Sequence, residues 1–454
     1  MSATSDYIHL LVLIHGMWGN PGHLAEMKRI YTETLCPSDS PRGPNSETVH
    51  ILVVETNTES STYDGIDWGG ERVAEEIRAE SKRLEAEGKT VTRFSVTGYS
   101  LGGLIARYVI GILHQQQFFD KVTPVNFTTV ATPHIGLIRY PSFRSSLFAF
   151  LGPKLLSRTG EQFYAVDQWS ARGRPLLEVM ADPERIFFQA LSSFPHVTFY
   201  ANAVNDITVP YMTAAAELDD PFAEHLAHHV TIEFDEKYKP IVKSWTPAPP
   251  GSAQPPKPRI FSRKWFESIK PRLPPALDFK FPYNIIIIVS LPVLFPALLI
   301  LVVVRLSMDS HSSRSRIKLL EEDESYGHRL IHVVGQLEKS MEDAVAELID
   351  DQGNVEPQLP STDTLADTCP PGTHDQPSEA QTPQSSSEGS SLLTPRQRRM
   401  VATLNSLPEL KKELAFINPV LNSHATIVAR DIQKFKHHAI GHGVLQHVAD
   451  HFTI

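Results

Sequence analysis

Short, continuously apolar runs alternate with helical patterns from residue 7 to about 235, and this predicts a doubly wound α/β fold with a mostly parallel sheet. Three observations carry the prediction. The runs 8–14 (IHLLVLI), 49–54 (VHILVV), 93–97 (RFSVT), 125–130 (VNFTTV) and 196–201 (HVTFYA) have strand length and β-branched content, without the polar alternation of a half-exposed sheet. The segments 69–87 and 101–117 between them read as helices. A glycine-rich turn joins 93–97 directly to 101–117, as a strand-to-helix connection requires.

Taken in order, the N-terminal run MSATSDYIHLLVLIHG lacks a basic leader and ends in His-Gly, so it reads as a buried strand and not a signal peptide. Residues 137–195 break the rhythm: no strand is evident, and aromatic residues collect there (Tyr140, Phe143, Phe148, Phe150, Phe163, Tyr164, Trp169). Proline then divides the chain, because 13 fall in 240–296 and seven in 351–398. The expected organisation is a core at 1–240, with 137–195 as a lid-like insertion. A Pro-rich linker, an apolar membrane hairpin at 285–304 and a charged helix over 314–350 fill 241–350. A disordered low-complexity insert follows at 351–400, and 401–454 completes the core with a strand in ELAFINPV and a helix in GVLQHVADHF.

The net charge of −10 argues against a nucleic-acid partner, whose binders are basic. Two cysteines, Cys36 and Cys369, are too few for a disulfide framework and suit a cytosolic catalytic domain.

Gly98-Tyr99-Ser100-Leu101-Gly102 is a G-x-S-x-G pentapeptide lying between a strand and a helix. That context turns a common pattern into a nucleophile elbow: the tight turn strains and exposes the serine, and small flanking residues admit neighbouring backbone. An oxyanion formed by attack of Ser100 needs two preorganised N–H donors. The Leu101 amide is one. The Met17 amide, in the His15-Gly16-Met17-Trp18-Gly19 loop after the first strand, is the other. The acid is expected just beyond a later strand, where Asp206 follows HVTFYANAVN; Glu217, Asp219 and Asp220 are further candidates. Six histidines crowd 424–454. The base belongs in the loop after the last strand, which selects His424, with His447 as the alternative. His447 and His451 are spaced as a metal pair, but no acidic or Cys partner set accompanies them, so neither a metal nor a cofactor is expected.

Residues 285–304 are twenty in a row without a charge, and at 1.5 Å per residue they reach about 30 Å, a bilayer's apolar thickness. A single crossing would part His424 from Ser100. Pro292 and Pro296 within the segment favour a hairpin, and so do basic residues on both sides (Lys264, Lys270, Arg272, Lys280; Arg305, Arg314, Arg316, Lys318).

The stretches HLLVLIHGMWGNPGHL, YDGIDWGGERVAEEI, FSVTGYSLGGLIARYVIG, TTVATPHIGL, NDITVPYMTA, SHATIVARD and GVLQHVADHF together resemble the fungal lipid-droplet phospholipases, a family of serine esterases with an α/β-hydrolase fold. The resemblance covers roughly 1–235 and 405–454. It implies a lipase acting on phospholipids or acylglycerols at a droplet or cytosolic membrane surface, with Ser100 as nucleophile. Its pattern includes both His424 and His447. A lipid acyltransferase using the same three residues, and a non-catalytic membrane-anchored interaction protein, are the rival readings.

Overall fold

The computed structural model describes residues 6–36, 46–170, 172–223, 230–246, 283–322 and 392–454. Six strands form one sheet in the order β2-β1-β3-β4-β5-β8, every pair parallel. They are β1 (Asp6–Ile14), β2 (Thr48–Val53), β3 (Lys89–Tyr99), β4 (Thr123–Val130), β5 (His196–Asn202) and β8 (Leu410–Ala415). Ile8–Ile14 of β1 are buried without a break, as a central strand covered on both faces demands.

Helices α2 (Ile66–Ala86), α3 (Leu101–Gln115) and α7 (Ile186–Ser192) pack on one face, around Val12, Phe94, Leu104 and Phe127. Helices α1 (Ala25–Leu35) and α11 (His442–Asp450) cover the other, around Leu11, Leu13, Tyr31, Val428 and Leu445. The doubly wound, mostly parallel α/β architecture is therefore present, and its switch in strand order between β1 and β3 opens a crevice at the strands' carboxyl ends.

Three elements differ from the sequence reading. The last strand lies at Leu410–Ala415, not within 413–420, because it runs along the sheet edge with Lys411 toward solvent and the chain turns away before Pro419. A small antiparallel pair, β6 (Thr231–Phe234) and β7 (Val242–Thr246), was not expected; Ile241 bridges it to Ala415 at that edge. The hairpin at 285–304 is replaced by one continuous helix, α9 (Tyr283–Glu322), which runs through Pro292 and Pro296. Each proline removes a single helical hydrogen bond, too little to force a reversal in so long a segment.

Helix α9 spans 40 residues, or about 60 Å, and its two halves differ. From Val293 to Val304 its apolar side chains are exposed, whereas Ser310, Ser313 and Ile317 are buried against the core. Between β4 and β5 lie α4 (Phe143–Leu155), α5 (Ser157–Phe163), α6 (Leu176–Met180) and α7, without a strand among the described residues. Phe163 and Trp169 join the core; Phe143, Phe148 and Phe150 stand in solvent on α4. Helices α8 (Tyr211–Ala214) and α10 (Pro395–Leu404) complete the described elements. The linker at 247–282, the charged helix beyond 322 and the low-complexity insert up to 391 lie outside the described residues, as does Cys369.

Candidate active site

Ser100 occupies the turn between β3 and α3 with φ 56° and ψ −124°, a conformation that non-glycine residues avoid. The surroundings hold it there: its N–H donates to Val130 O (2.9 Å), and its carbonyl accepts from Thr132 Oγ1 (3.0 Å) and Gly103 N (3.1 Å). Two glycines make room. A Cβ on Gly102 would sit 2.2 Å from Ile14 O, so only glycine lets α3 close onto the end of β1. A Cβ on Gly16 would sit 2.8 Å from the Ser100 Cβ, so the loop after β1 passes directly over the serine.

His424 Nε2 lies 3.0 Å from Ser100 Oγ, and His424 Nδ1 lies 2.9 Å from Asp206 Oδ2. The Asp206 side chain is 1% exposed, and both oxygens are occupied. Oδ1 accepts from the Thr208 and Val209 amides (3.0 and 2.8 Å); Oδ2 accepts from Asn202 Nδ2 (2.8 Å) as well as facing the imidazole. That fixes the carboxylate's direction, and with it the tautomer that leaves Nε2 free to accept from Ser100. Tyr99 adds a second restraint, donating to His424 O (2.9 Å) with the two rings 5.1 Å apart.

The other candidates are elsewhere. Glu217 pairs with Lys412, Asp219 is exposed, and Asp220 accepts from the Phe222 amide. His447, the alternative base, is not at the serine. It lies on α11 beneath the sheet, its Nδ1 2.8 Å from Tyr200 OH and its ring stacked on His451. Burial, with His451 beside it, lowers its pKa to about 4. The helical periodicity that makes it a core residue keeps it from the strand ends.

The loop His15–Gly19 passes close over Ser100 at Gly16, and the Met17 and Leu101 amides make no hydrogen bond among the described residues. Leu101 is the first residue of α3, where an N–H has no helical acceptor and the helix end favours negative charge. Burial lowers the pKa of His15, whose Nδ1 lies 3.1 Å from Gly16 O. The loop's remaining ties run to residues the sequence did not single out: Trp18 Nε1 donates to Tyr63 OH (2.8 Å) and Trp18 N to Thr62 Oγ1 (3.1 Å). The one signal for them was the polar turn Tyr63-Asp64-Gly65 before α2. Asn202 was also missed, hidden as the last residue of β5.

A serine in a strained elbow, hydrogen-bonded through an imidazole to a buried carboxylate at the carboxyl edge of a parallel sheet, is the construction of a serine hydrolase with the α/β-hydrolase fold. Residues 4–218 match the family described as "Putative serine esterase (DUF676)". Among curated relatives, the chain is similar to the putative lipase C4A8.10 of Schizosaccharomyces pombe, 32% identical over 46% of this chain and 26% of that protein. It is also similar to the putative lipase ROG1 of Saccharomyces cerevisiae, 29% identical over 46% of this chain and 28% of that protein. The matches thus span only about a quarter of those relatives' own lengths. A solved structure, the putative cell surface hydrolase of Lactobacillus plantarum, aligns at 14% identity and TM-score 0.26 over 46% of this chain and 74% of that one.

Proposed function

We propose that the protein is a lipase that hydrolyses acyl esters of glycerophospholipids or acylglycerols at a membrane or lipid-droplet surface, with Ser100, His424 and Asp206 as its catalytic residues. The observation that carries this is the unbroken hydrogen-bonded chain from Ser100 Oγ to Asp206. Ser100 Oγ attacks the acyl carbon while its proton passes to His424 Nε2, and Asp206 accepts from Nδ1–H and stabilises the imidazolium. The Met17 and Leu101 amides receive the oxyanion. Collapse expels the lipid alcohol, which takes the proton from His424; a water activated by His424 then frees the fatty acid and restores Ser100. No cofactor enters.

The lipid surface is supported by two exposed apolar faces, the Val293–Val304 half of α9 and Phe143, Leu147, Phe148 and Phe150 on α4. Ser100 precedes α9 and His424 follows it, and they lie 3.0 Å apart, so both flanks of α9 stay on the catalytic side. The stretch 247–282 carries nine charged residues, too many for a second apolar span by composition. In this reading helix α9 enters a leaflet without crossing it, and the catalytic domain faces the cytosol. Names of the fungal relatives as lipases agree with this substrate class. The test is fatty-acid release from defined phospholipid and acylglycerol vesicles by the full chain beside Ser100→Ala. Release by wild type alone supports the reading. If wild type neither cleaves an ester nor reacts with a fluorophosphonate at Ser100, the non-catalytic alternative replaces it.

A further inference from the structure

We propose that the docked half of α9 is a positioning element for the oxyanion loop, so that the same helix that meets the lipid sets how firmly the Met17 amide is held. This rests on Met17 serving as an oxyanion donor. Among the described residues, the hydrogen bonds that tie Trp18 and Gly19 to other parts of the protein all go to the short turn Glu59–Tyr63. Trp18 N bonds Thr62 Oγ1, Trp18 Nε1 bonds Tyr63 OH, and Glu59 N bonds Gly19 O (3.0 Å). Trp18 itself sits at φ 53° and is half exposed, and the loop's own bond, Gly19 N to Gly16 O (3.1 Å), closes a turn around Met17 and Trp18 without tying that turn to the rest of the protein.

That turn is gripped from the far side by α9. Asp64, the next residue and fully buried, accepts from Ser313 Oγ (2.6 Å) and Arg316 Nη2 (2.9 Å), and Arg316 Nη2 also reaches Ser60 O (2.9 Å). Arg72 of α2 already pairs with Asp64 at 2.6 Å. The contacts from α9 are therefore not needed to neutralise the carboxylate; they join an outside helix to the turn. Charge-assisted bonds to a buried acceptor are strong and directional, which suits them to set a position. The path is short: Arg316 and Ser313, the turn 59–64, Trp18, then the Met17 amide.

The test uses the full chain with a water-soluble p-nitrophenyl ester, so that access to lipid does not enter. Removing a whole oxyanion donor costs about 10²–10³ in kcat, and loosening one should cost on the order of tenfold. The pair Ser313→Ala with Arg316→Gln is expected to lower kcat by that amount with KM unchanged, and Arg316→Lys to restore much of it. Trp18→Phe should cause a similar loss, and its combination with Arg316→Gln no more than either alone, since both cut one path. Amide hydrogen exchange at Met17–Gly19 should quicken in Arg316→Gln. Unchanged exchange there, or losses that simply add, would overturn the coupling whatever the activity. If exchange quickens while wild type cleaves no ester and takes no fluorophosphonate, the link from α9 to the loop stands and the hydrolase reading falls.

Discussion

Ser100 and His424 meet at 3.0 Å from elements of opposite character. Ser100 stands at the end of β3, between two parallel neighbours and under a helix that begins at the next residue. His424 hangs from the loop after β8, an edge strand whose residues other than Ala415 are not fully buried. That loop is held chiefly by contacts to the β5 side, Ser423 N to Asn205 O (2.9 Å) and Ser423 Oγ to Val204 O (2.8 Å). The proposed nucleophile is thus fixed by the sheet, and the proposed base by a segment delivered 324 residues later in the chain. The rigid half supplies strain and backbone donors. The peripheral half supplies only an orientation, which Asp206 and Tyr99 complete.

The largest expected effects test whether the two halves act as one unit. Ser100→Ala and His424→Ala should each lower kcat by about 10⁶, and the double variant by hardly more, because residues of such a chain fail together. Near-additive losses in steady-state kinetics would mean that they do not share a step. Asp206→Asn should cost less, about 10⁴ in kcat, since the amide keeps the packing and the Thr208 and Val209 amides as partners but presents an NH2 to the imidazole and to Asn202. A loss confined to KM would place Asp206 in binding instead.

The same contrast explains what could be read from sequence. The elbow is legible because its demands are local: a strand, a strained serine, glycine where α3 meets Ile14 O, and a helix within a few residues. The buried strands are legible because their apolar runs are unbroken. Asp206 and His424 could be placed only by their position after a strand. For His424, the edge strand itself was drawn three residues too late because its lysines weaken the pattern. Asn202 carries no signal, and Tyr63 and Asp64 show only as a polar turn before α2, since their roles depend on which distant element lies beside them. The continuous course of α9 is not legible because proline reads as a breaker, whereas a segment this long and apolar carries it.

A smaller effect separates the two histidines offered by the C-terminal cluster. His447→Ala should leave ester turnover within about twofold of wild type but remove the partner of the Tyr200 hydroxyl beneath the sheet. An unsatisfied buried hydroxyl costs about 1–3 kcal/mol, readable as a lower midpoint in denaturant. A collapse of kcat at intact stability would return His447 to candidacy as the base.

The smallest expected effect concerns pH, and it too divides the molecule by burial. Burial lowers the pKa of His9 to about 3 and those of His23, His438 and His447 to about 4, from the usual 6.5. His9 lies within β1 with its Nε2 2.7 Å from Ser95 Oγ, a site with no room for hydration of a charged ring. Between those values and 6.5 the unfolded chain binds more protons than the folded one, so stability increases with pH across that range. The contribution is complete above pH 6.5 and is lost as the pH falls toward 4. The melting temperature should therefore drop between pH 7 and pH 5. His9→Gln, which can still bond Ser95 but takes up no proton, should reduce that drop by about a few °C. An identical drop in the variant would show that the acid sensitivity arises elsewhere on that face of the sheet, where Tyr200 and Tyr238 enclose His447.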